Sequence, residues 1–273
     1  MMIQYRTPHI TVFESALYRT TSTVIQTKGF VLIVDPNWLP REVSRIRQFV
    51  QAIRGGRSLY LLFTHSDYDH ILGWQAFPEA TVIASAAFAN NPQKEKCLEQ
   101  IRQFDEEYYI RRDYPLGYPT VDIEIFEDEQ TVELEQARLR FFLTPGHTAD
   151  SLFALLEHTG AWIAGDYLSN IEFPFIYDSN YAYEQTLQKA LGIIREDDPA
   201  LLIPGHGDAT TQKAEMVKRY TESLEYIHNL RAALQSGAPF PEAQLWERYG
   251  NKRGLAGPHR ENVEFVRKEL ASR

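Results

Sequence analysis

The spacing of apolar residues predicts strands and helices in alternation from the start of the chain. The stretches HITVFES, ALYRTTSTVIQ and GFVLIVDPN alternate or run apolar, which indicates strands over residues 9–35 ended by an Asp-Pro-Asn turn. Residues Pro40 to Arg54 carry apolar side chains at helical spacing, closed by two glycines. The apolar run SLYLLF predicts a buried strand that leads directly into THSDYDH.

The same alternation continues through the middle of the chain. We predict a short helix from Leu72 to Phe77, a strand at ATVIAS and a polar helix from about Gln93 to Tyr109. Further strands are expected at VDIEIF, TVELEQ, ARLRFFL, SLFALLE, AWIAGD and ALLI. From Gln212 the pattern is helical, with two shorter helices around Leu245 and Phe265. The class is therefore α/β or α+β, without a Gly, Pro or Ser-rich linker to divide it.

Composition narrows the function classes. Hydrophobic residues make up 44% of the 273 residues and charged residues 24%, which is ordinary for a globular protein. The net charge of −9 disfavours nucleic acid as a partner. A single cysteine fits a reducing compartment. The first residues lack a signal-peptide pattern and no run of 18 apolar residues occurs, so we expect a cytoplasmic protein that does not bind a membrane.

Polar clusters directly follow four of the predicted strands. His65 follows LYLLF, His147 follows RFFL, Asp166 follows AWIA and His206 follows ALLI. Loops at strand ends can project side chains from a rigid scaffold into one cleft. Because His65, Asp67, Asp69 and His70 also share one six-residue loop, we predict a metal site. Imidazole and carboxylate are ligands that zinc, iron and manganese accept.

The motifs T-H-S-D-Y-D-H, T-P-G-H-T, A-G-D and P-G-H-G resemble the metallo-β-lactamase superfamily, whose usual loop is H-x-H-x-D-H. The resemblance spans roughly residues 10–210. It implies an αββα sandwich with the site along one edge of two sheets, and an enzyme that uses two divalent metal ions. We therefore expect a catalytic domain over residues 1–210 and a helical extension, residues 211–273, packed on the same domain.

The resemblance also implies a role for each ligand-type residue. The first metal would be held by His65, Asp67 and His147, the second by Asp69, His70 and His206, with Asp166 bridging them. Asp67 departs from the family pattern, which most often has histidine there. A carboxylate at this position should shift the preference from zinc, the common metal of the family, toward iron or manganese.

The expected reaction is hydrolysis of an ester, lactone or thioester by a metal-bound hydroxide. Asp69 would orient the hydroxide or protonate the leaving group, so Asp69 and Asp166 are the predicted catalytic residues. Three alternatives remain. The same geometry suits a phosphodiesterase acting on a small phosphoester; the carboxylate at Asp67 suits a non-haem iron oxidoreductase; and a non-catalytic scaffold would need no metal chemistry.

Five residues are candidates for contact with a small-molecule substrate. They are Tyr68, Tyr167, Phe173, Phe175 and His259. Either tyrosine could donate a hydrogen bond to an oxyanion, although packing is the common role of such residues. The two phenylalanines lie in the aromatic segment LSNIEFPFIYDSNYAY, which would form a pocket wall or a hydrophobic cover. The aromatic C-terminal region fits packing on its own domain or against a second copy, which makes a homodimer one expected alternative.

Overall fold

Two β-sheets pack face to face, with helices on both outer sides, in a computed structural model that describes residues 1–272. The first sheet follows the order of the chain. Its strands are β1 (Met2–Arg6), β2 (Ile10–Glu14), β3 (Thr21–Gln26), β4 (Phe30–Val34), β5 (Ser58–Leu62), β6 (Thr81–Ser85) and β7 (Ile123–Ile125). Strands β1 to β4 form an antiparallel meander, and β4 to β7 run parallel because helices connect β4, β5 and β6.

The second sheet is mostly antiparallel. Its strands are β8 (Thr131–Leu134), β9 (Ala137–Leu143), β10 (Leu152–Leu156), β11 (Ala161–Ile163) and β12 (Leu201–Ile203). The order across the sheet is β12, β11, β10, β9, β8, and only β11 and β12 pair in parallel. The strands of both sheets are rich in Val, Ile, Leu and Phe, and their inner faces form one apolar layer between the sheets.

Helices cover the outer faces of both sheets. They are α1 (Pro40–Arg54), α2 (Tyr68–Ile71), α3 (Ala86–Ala89), α4 (Lys94–Glu107), α5 (Asn180–Gly192), α6 (Lys213–Ser236), α7 (Glu242–Tyr249) and α8 (Lys252–Ala271). Side chains of α1 and α4 pack on the first sheet, and α5 to α8 pack on the second sheet and on one another. The predicted αββα sandwich is therefore confirmed. None of the helices over residues 1–272 is both long and apolar enough to cross a membrane.

Several local predictions need correction. The helix expected over Leu72–Phe77 is a single 3-10 turn, Trp74–Ala76. It is preceded by Gly73, a residue of low helix propensity that packs against the backbone of Pro36, where a side chain would have no room. The helix around Phe265 is a long one, α8, rather than a short one. Helix α5 was not predicted. It lies between the second sheet and α6, so buried positions such as Asn180 and Thr186 blur its one-sided apolar stripe.

Candidate metal centre

The predicted ligand-type residues come together at one edge of the two sheets. His65 lies just beyond β5, and α2 begins at Tyr68 within the same loop. His147, Asp166 and His206 follow β9, β11 and β12. Loops from both sheets thus supply side chains to one place, as strand ends in a layered fold allow.

The side chains form two adjacent groups, each with ligand atoms within 4.8 Å of one another. The first group contains His65, Asp67, His147 and Asp166, and the second contains Asp69, His70 and His206. In the first group, Oδ2 of Asp67 lies 3.2 Å from Nε2 of His147 and 3.8 Å from Nε2 of His65. In the second, Oδ2 of Asp69 lies 3.4 Å from Nε2 of His206 and 3.7 Å from Nε2 of His70.

Asp166 contacts both groups through its two oxygens. Oδ1 lies 3.2 Å from Nε2 of His70, and Oδ2 lies 3.3 Å from Nε2 of His206. Oδ2 is also 3.4 Å from Nε2 of His147 and 3.6 Å from Nε2 of His65. A glycine is required beside this carboxylate, since a Cβ at Gly205 would lie 2.1 Å from Oδ1 of Asp166.

The other ring nitrogen of each histidine is held from outside the cluster. Oδ2 of Asp35 lies 3.0 Å from Nδ1 of His70 and accepts a hydrogen bond of 2.6 Å from the hydroxyl of Thr64. The same hydroxyl lies 2.9 Å from Nδ1 of His65. These contacts fix the two rings so that both Nε2 atoms face the centre, as outer partners of metal-binding histidines do.

Backbone carbonyls perform the same task for the remaining two histidines. Nδ1 of His147 lies 2.8 Å from the carbonyl oxygen of Phe175, and Nδ1 of His206 lies 2.9 Å from that of Tyr18. A carbonyl can only accept, so each Nδ1 carries a proton, and in the neutral ring each Nε2 presents its lone pair to the centre.

The residues fit a metal ion because buried polar atoms in the centre lack partners. Within the described part of the chain, no hydrogen bond is made by Nε2 of His65, His70 and His147 or by Oδ1 of Asp166. Buried polar atoms are normally satisfied, and these four unsatisfied atoms lie in the two adjacent groups, so each group has room for a bound partner. Imidazole nitrogens and carboxylate oxygens are the donors that first-row divalent metals take.

Electrostatic interactions among the ligand-type side chains determine which of them carry protons when no metal is bound. Burial disfavours protonation of His147, but the carboxylate of Asp67 outweighs it and raises the pKa of His147 to about 9. Burial would raise the pKa of Asp166, yet His206 and His70 hold it well below its usual range. Burial and the neighbouring His70 lower the pKa of His65. The centre therefore keeps protons on some imidazoles, and a metal must displace them.

The candidate substrate residues occupy different places. Tyr167 is buried, and its hydroxyl donates to the carbonyl of Thr144 (2.8 Å) and accepts from the backbone N–H of His147 (2.9 Å), which supports the loop of His147. Tyr68 is half-buried and packs edge-on against Trp38 at 5.6 Å. A contact of either tyrosine with substrate stays a prediction.

The other three candidates lie toward the C-terminal helices. Phe173 and Phe175 line a small cavity that also reaches Asp166. His259 is buried, and its Nδ1 lies 2.9 Å from the hydroxyl of Tyr226. Phe173 stacks on Tyr226 at 4.7 Å between ring centroids. Their substrate contacts also stay predictions.

Sequence reasoning missed Glu172 beside the centre. Its Oε1 lies 3.9 Å from Nδ1 of His206. Burial raises the pKa of Glu172 to about 7; His206 opposes this rise, and Asp166 adds to it. The signal available in the sequence was an acid placed among the aromatic residues of the segment after Asp166.

Two exposed tyrosines form an aromatic rim beside the centre. Tyr177, in the aromatic segment that the sequence indicated as a pocket wall, lies 5.4 Å from the ring of His147. Sequence reasoning missed Tyr18, which lies 6.0 Å from the ring of Trp38. Tyr18 is distant in sequence from the ligand-type residues, but its carbonyl contacts His206, so the loop between β2 and β3 borders the cluster.

A two-sheet sandwich with a histidine and carboxylate cluster at its edge defines the class of metal-binding αββα proteins. Comparison with known proteins specifies the family. The family model of the metallo-beta-lactamase superfamily matches residues 17–206. The chain belongs to the metallo-beta-lactamase superfamily.

Individual relatives are distant. The chain is 25% identical over 232 residues to the uncharacterized protein YobT of Bacillus subtilis (strain 168), covering 79% of this chain and 95% of that protein. A metallo-beta-lactamase family protein of Thermus thermophilus has a TM-score of 0.61 at 18% identity, over 84% of this chain and 82% of that one. The sec-alkylsulfatase Pisa1 from Pseudomonas sp. has a TM-score of 0.63 at 13% identity, over 85% of this chain but 42% of that one. These structural likenesses extend to the fold alone.

Proposed function

We propose that the protein is a dinuclear metal-dependent hydrolase that cleaves an ester, a lactone or a thioester of a small molecule. The observation that carries this proposal is the position of Asp166 between two groups of ligand-type side chains whose inward atoms lack partners. One ion would be held by His65, Asp67 and His147, and the other by Asp69, His70 and His206. Asp166 would contact both.

The chain supplies positioning and proton transfer. When bound, a pair of divalent ions supplies an acidified water and a Lewis acid for the carbonyl oxygen. Asp69 lies within 3.4 Å of His206, and its carboxylate is placed to take a proton from water and return it to the leaving group. The acyl–oxygen or acyl–sulfur bond breaks, and the products are an acid and an alcohol or thiol. The imidazoles stay oriented by Asp35, Thr64, Tyr18 and Phe175.

The surroundings of the centre favour an uncharged substrate with an apolar or aromatic portion. Tyr18, Tyr177 and Phe175 provide aromatic surface next to the cluster. The largest electrostatic influences on Glu172 come from histidines and aspartates, not from a lysine or arginine. An anionic phosphoester would need a cationic side chain to offset Glu172, which supports the carboxylic ester over the phosphodiester.

A second candidate, a non-haem iron oxidoreductase, rests on one observation. The carboxylate of Asp67 lies 3.2 Å from Nε2 of His147, within the first group of ligand-type residues. An oxygen donor in that group favours iron over zinc. Oxygen consumption by the iron-loaded protein, measured without and with a reductant, distinguishes this activity from hydrolysis.

The hydrolase proposal is tested with protein loaded separately with zinc, iron and manganese. The substrates are p-nitrophenyl acetate and butyrate, a simple lactone, a thioester, bis-p-nitrophenyl phosphate and p-nitrophenyl sulfate; the sulfate is included because of the fold similarity to Pisa1. We expect faster turnover of the carboxylic ester, lactone or thioester than of either anion. Asp69→Asn should lose most of this activity and part of the metal held with His70 and His206, because Asp69 belongs to the same ligand group. Faster phosphate or sulfate turnover contradicts the proposed substrate class, and no turnover in any metal form contradicts the hydrolase.

A further inference from the structure

The last helix, α8, contacts the segment that orients His147. The segment, residues 174–180, makes three backbone–backbone hydrogen bonds with the loop of His147, from the N–H groups of residues 177, 178 and 179, and one bond with the His147 ring. Nδ1 of His147 donates to the carbonyl of Phe175 (2.8 Å), the N–H of Tyr177 donates to the carbonyl of His147 (2.9 Å), and the N–H of Ser179 donates to the carbonyl of Gly146 (3.3 Å). Whatever fixes this segment therefore also fixes the ring of His147.

Asn262 of α8 fixes the middle of this segment. Its side chain is fully buried at 0% exposure. Oδ1 accepts from the N–H of Ile176 (2.9 Å), and Nδ2 donates to the carbonyl of Pro174 (2.6 Å) and to the hydroxyl of Tyr226 (2.9 Å). The side-chain amide thus satisfies the buried N–H of Ile176 and the carbonyl of Pro174, and it adds a bond to the hydroxyl of Tyr226, which also contacts His259.

One planar peptide group joins Asn262 to His147. The N–H of Ile176 and the carbonyl of Phe175 belong to the same peptide unit, and in a trans peptide they point in opposite directions. Asn262 holds the N–H end at 2.9 Å, so the carbonyl end is aimed at Nδ1 of His147 at 2.8 Å. Aligned hydrogen bonds of this kind also polarise one another.

A second contact from α8 anchors the end of the segment. The carboxylate of Glu269 accepts from the hydroxyl of Ser179 (2.6 Å) and from the backbone N–H of Asn180 (2.9 Å), at the start of α5. Ser179 is also the residue whose N–H contacts Gly146. Helix α8 therefore holds both the centre and the end of residues 174–180.

We infer that Asn262 is a positioning residue of the metal centre, acting on His147 through the Ile176–Phe175 peptide group. This inference rests on the metal site of the proposed function. Asn262 itself touches neither metal nor substrate. Its effect is to keep the proton on Nδ1 of His147 and the lone pair of Nε2 directed at the first group of ligands. Loss of such outer partners weakens metal binding by about 10- to 100-fold in other proteins.

The test uses cobalt(II) as the probe, with the full-length chain. Affinity is measured by competition with a chromophoric chelator, and ligand geometry by the visible absorption spectrum of the cobalt-loaded protein. Asn262→Ala removes the contact with Ile176 and should weaken cobalt binding by about 10- to 100-fold and change the spectrum. Asn262→Asp keeps an acceptor for the N–H of Ile176, and it should bind cobalt within about threefold of the wild type even if the fold is less stable.

The matched control is Asn251→Ala. Asn251 caps the start of the same helix by accepting from the N–H of Gly254, and it makes no hydrogen bond with residues 174–180. Its replacement therefore perturbs α8 but leaves in place the hydrogen bonds that join Asn262, the Ile176–Phe175 peptide group and His147. We expect its cobalt affinity and spectrum to match the wild type. Equal cobalt binding in Asn262→Ala and wild type overturns the inference, as does equal loss in the alanine and aspartate variants.

Two further outcomes are informative. A wild-type chain that does not bind cobalt overturns both the inference and the metal site, whereas normal wild-type binding with an unaffected Asn262→Ala variant overturns the inference alone. If the variants do not fold, hydrogen exchange of the Ile176 amide in the wild-type chain decides. We expect cobalt to slow this exchange, and an unchanged rate overturns the inference.

Discussion

Oδ2 of Asp35 lies 3.0 Å from Nδ1 of His70, and the same oxygen accepts the hydroxyl of Thr64. Asp35 directly follows β4 and Thr64 follows β5, and these two strands are parallel neighbours in the sheet. The carboxylate therefore ties the orientation of a candidate metal ligand to the pairing of two core strands.

The Asp35→Asn variant should weaken metal binding at the second group. An amide offers an N–H to Nδ1 of His70, which favours the ring tautomer with its proton on Nε2, the atom that faces the centre. We expect the affinity for the more weakly held ion to fall by about 10- to 100-fold, measured by titration with a chelator. The control is Glu42→Gln, a carboxylate of similar burial (3% exposed, against 2%) that contacts no histidine. Equal affinity in Asp35→Asn and the control would contradict the prediction.

Much of the fold follows from local pattern. The helix over Pro40–Arg54 and the strands before each ligand-type residue were predictable because their apolar spacing is regular and each ends at a turn. Helix α5 was not predictable in this way, because its buried face includes the polar residues Asn180 and Thr186, which interrupt the apolar stripe. Strand β1 has mostly exposed or half-buried residues, so it carries little hydrophobic signal.

The site was less predictable than the fold. The grouping of seven ligand-type residues follows from motifs at strand ends, but the contacts that orient the rings do not. The carbonyl of Tyr18 contacts His206 from 188 residues away, and Oδ1 of Asn262 accepts from the backbone N–H of Ile176, 86 residues away. Backbone acceptors carry no residue-specific signal, so a sequence pattern cannot locate them.

Glu172 should discriminate against anionic substrates. At pH 8, above its pKa of about 7, burial keeps a poorly screened negative charge beside the centre. Glu172→Gln removes this charge and should raise kcat/KM for bis-p-nitrophenyl phosphate relative to p-nitrophenyl butyrate by about tenfold, which corresponds to about 1.4 kcal/mol. The effect should shrink at pH 6, where Glu172 is mostly protonated.

The matched control for this charge is Asp178→Asn, which removes an acid from the same segment. Asp178 is half-buried, and both its backbone N–H and its carboxylate contact the backbone of Gly146. We expect the substrate ratio of this variant to match the wild type. A similar change in both variants would mean that net charge, not the position of Glu172, sets the selectivity.

The stability of the metal-free protein should fall as the pH rises from 6.5 to above 9. The pKa of His147 is raised to about 9 in the folded chain, against about 6.5 unfolded. Because the pKa of His147 is higher in the folded chain, its protonation stabilises the fold fully below pH 6.5. This contribution is lost as the pH rises past 9. We expect a loss of the order of 1 to 3 kcal/mol in the free energy of unfolding, measured with urea in the presence of a chelator.

Metal binding should reverse this dependence. The ion competes with protons for the imidazoles, so its affinity should increase over the same pH range and stabilise the loaded protein. His147→Asn provides the control, because it removes one titrating group and should make the curve of the metal-free chain less steep. Part of the slope should remain, since neighbouring carboxylates outweigh burial and raise the pKa values of His70 and His206 as well. A metal-free wild type whose stability does not change between pH 6 and 9 would show that Asp67 does not hold a proton on His147.

Asp67 should decide which metal the protein selects. Its carboxylate stands where most members of the family have histidine, and an oxygen donor favours iron or manganese over zinc. Elemental analysis of protein purified without added metal should find about two equivalents, mainly iron or manganese. In Asp67→His, a nitrogen donor replaces the carboxylate 3.2 Å from Nε2 of His147, and we expect the metal content to move toward zinc.

Asp150→His, at a buried carboxylate bonded to Thr148 and outside the two ligand groups, tests whether any added histidine has this effect. Less than about half an equivalent in wild type and Asp67→His alike, without gain on reconstitution, would show that the cluster does not hold metal, because a working dinuclear site retains ions through its buried imidazoles.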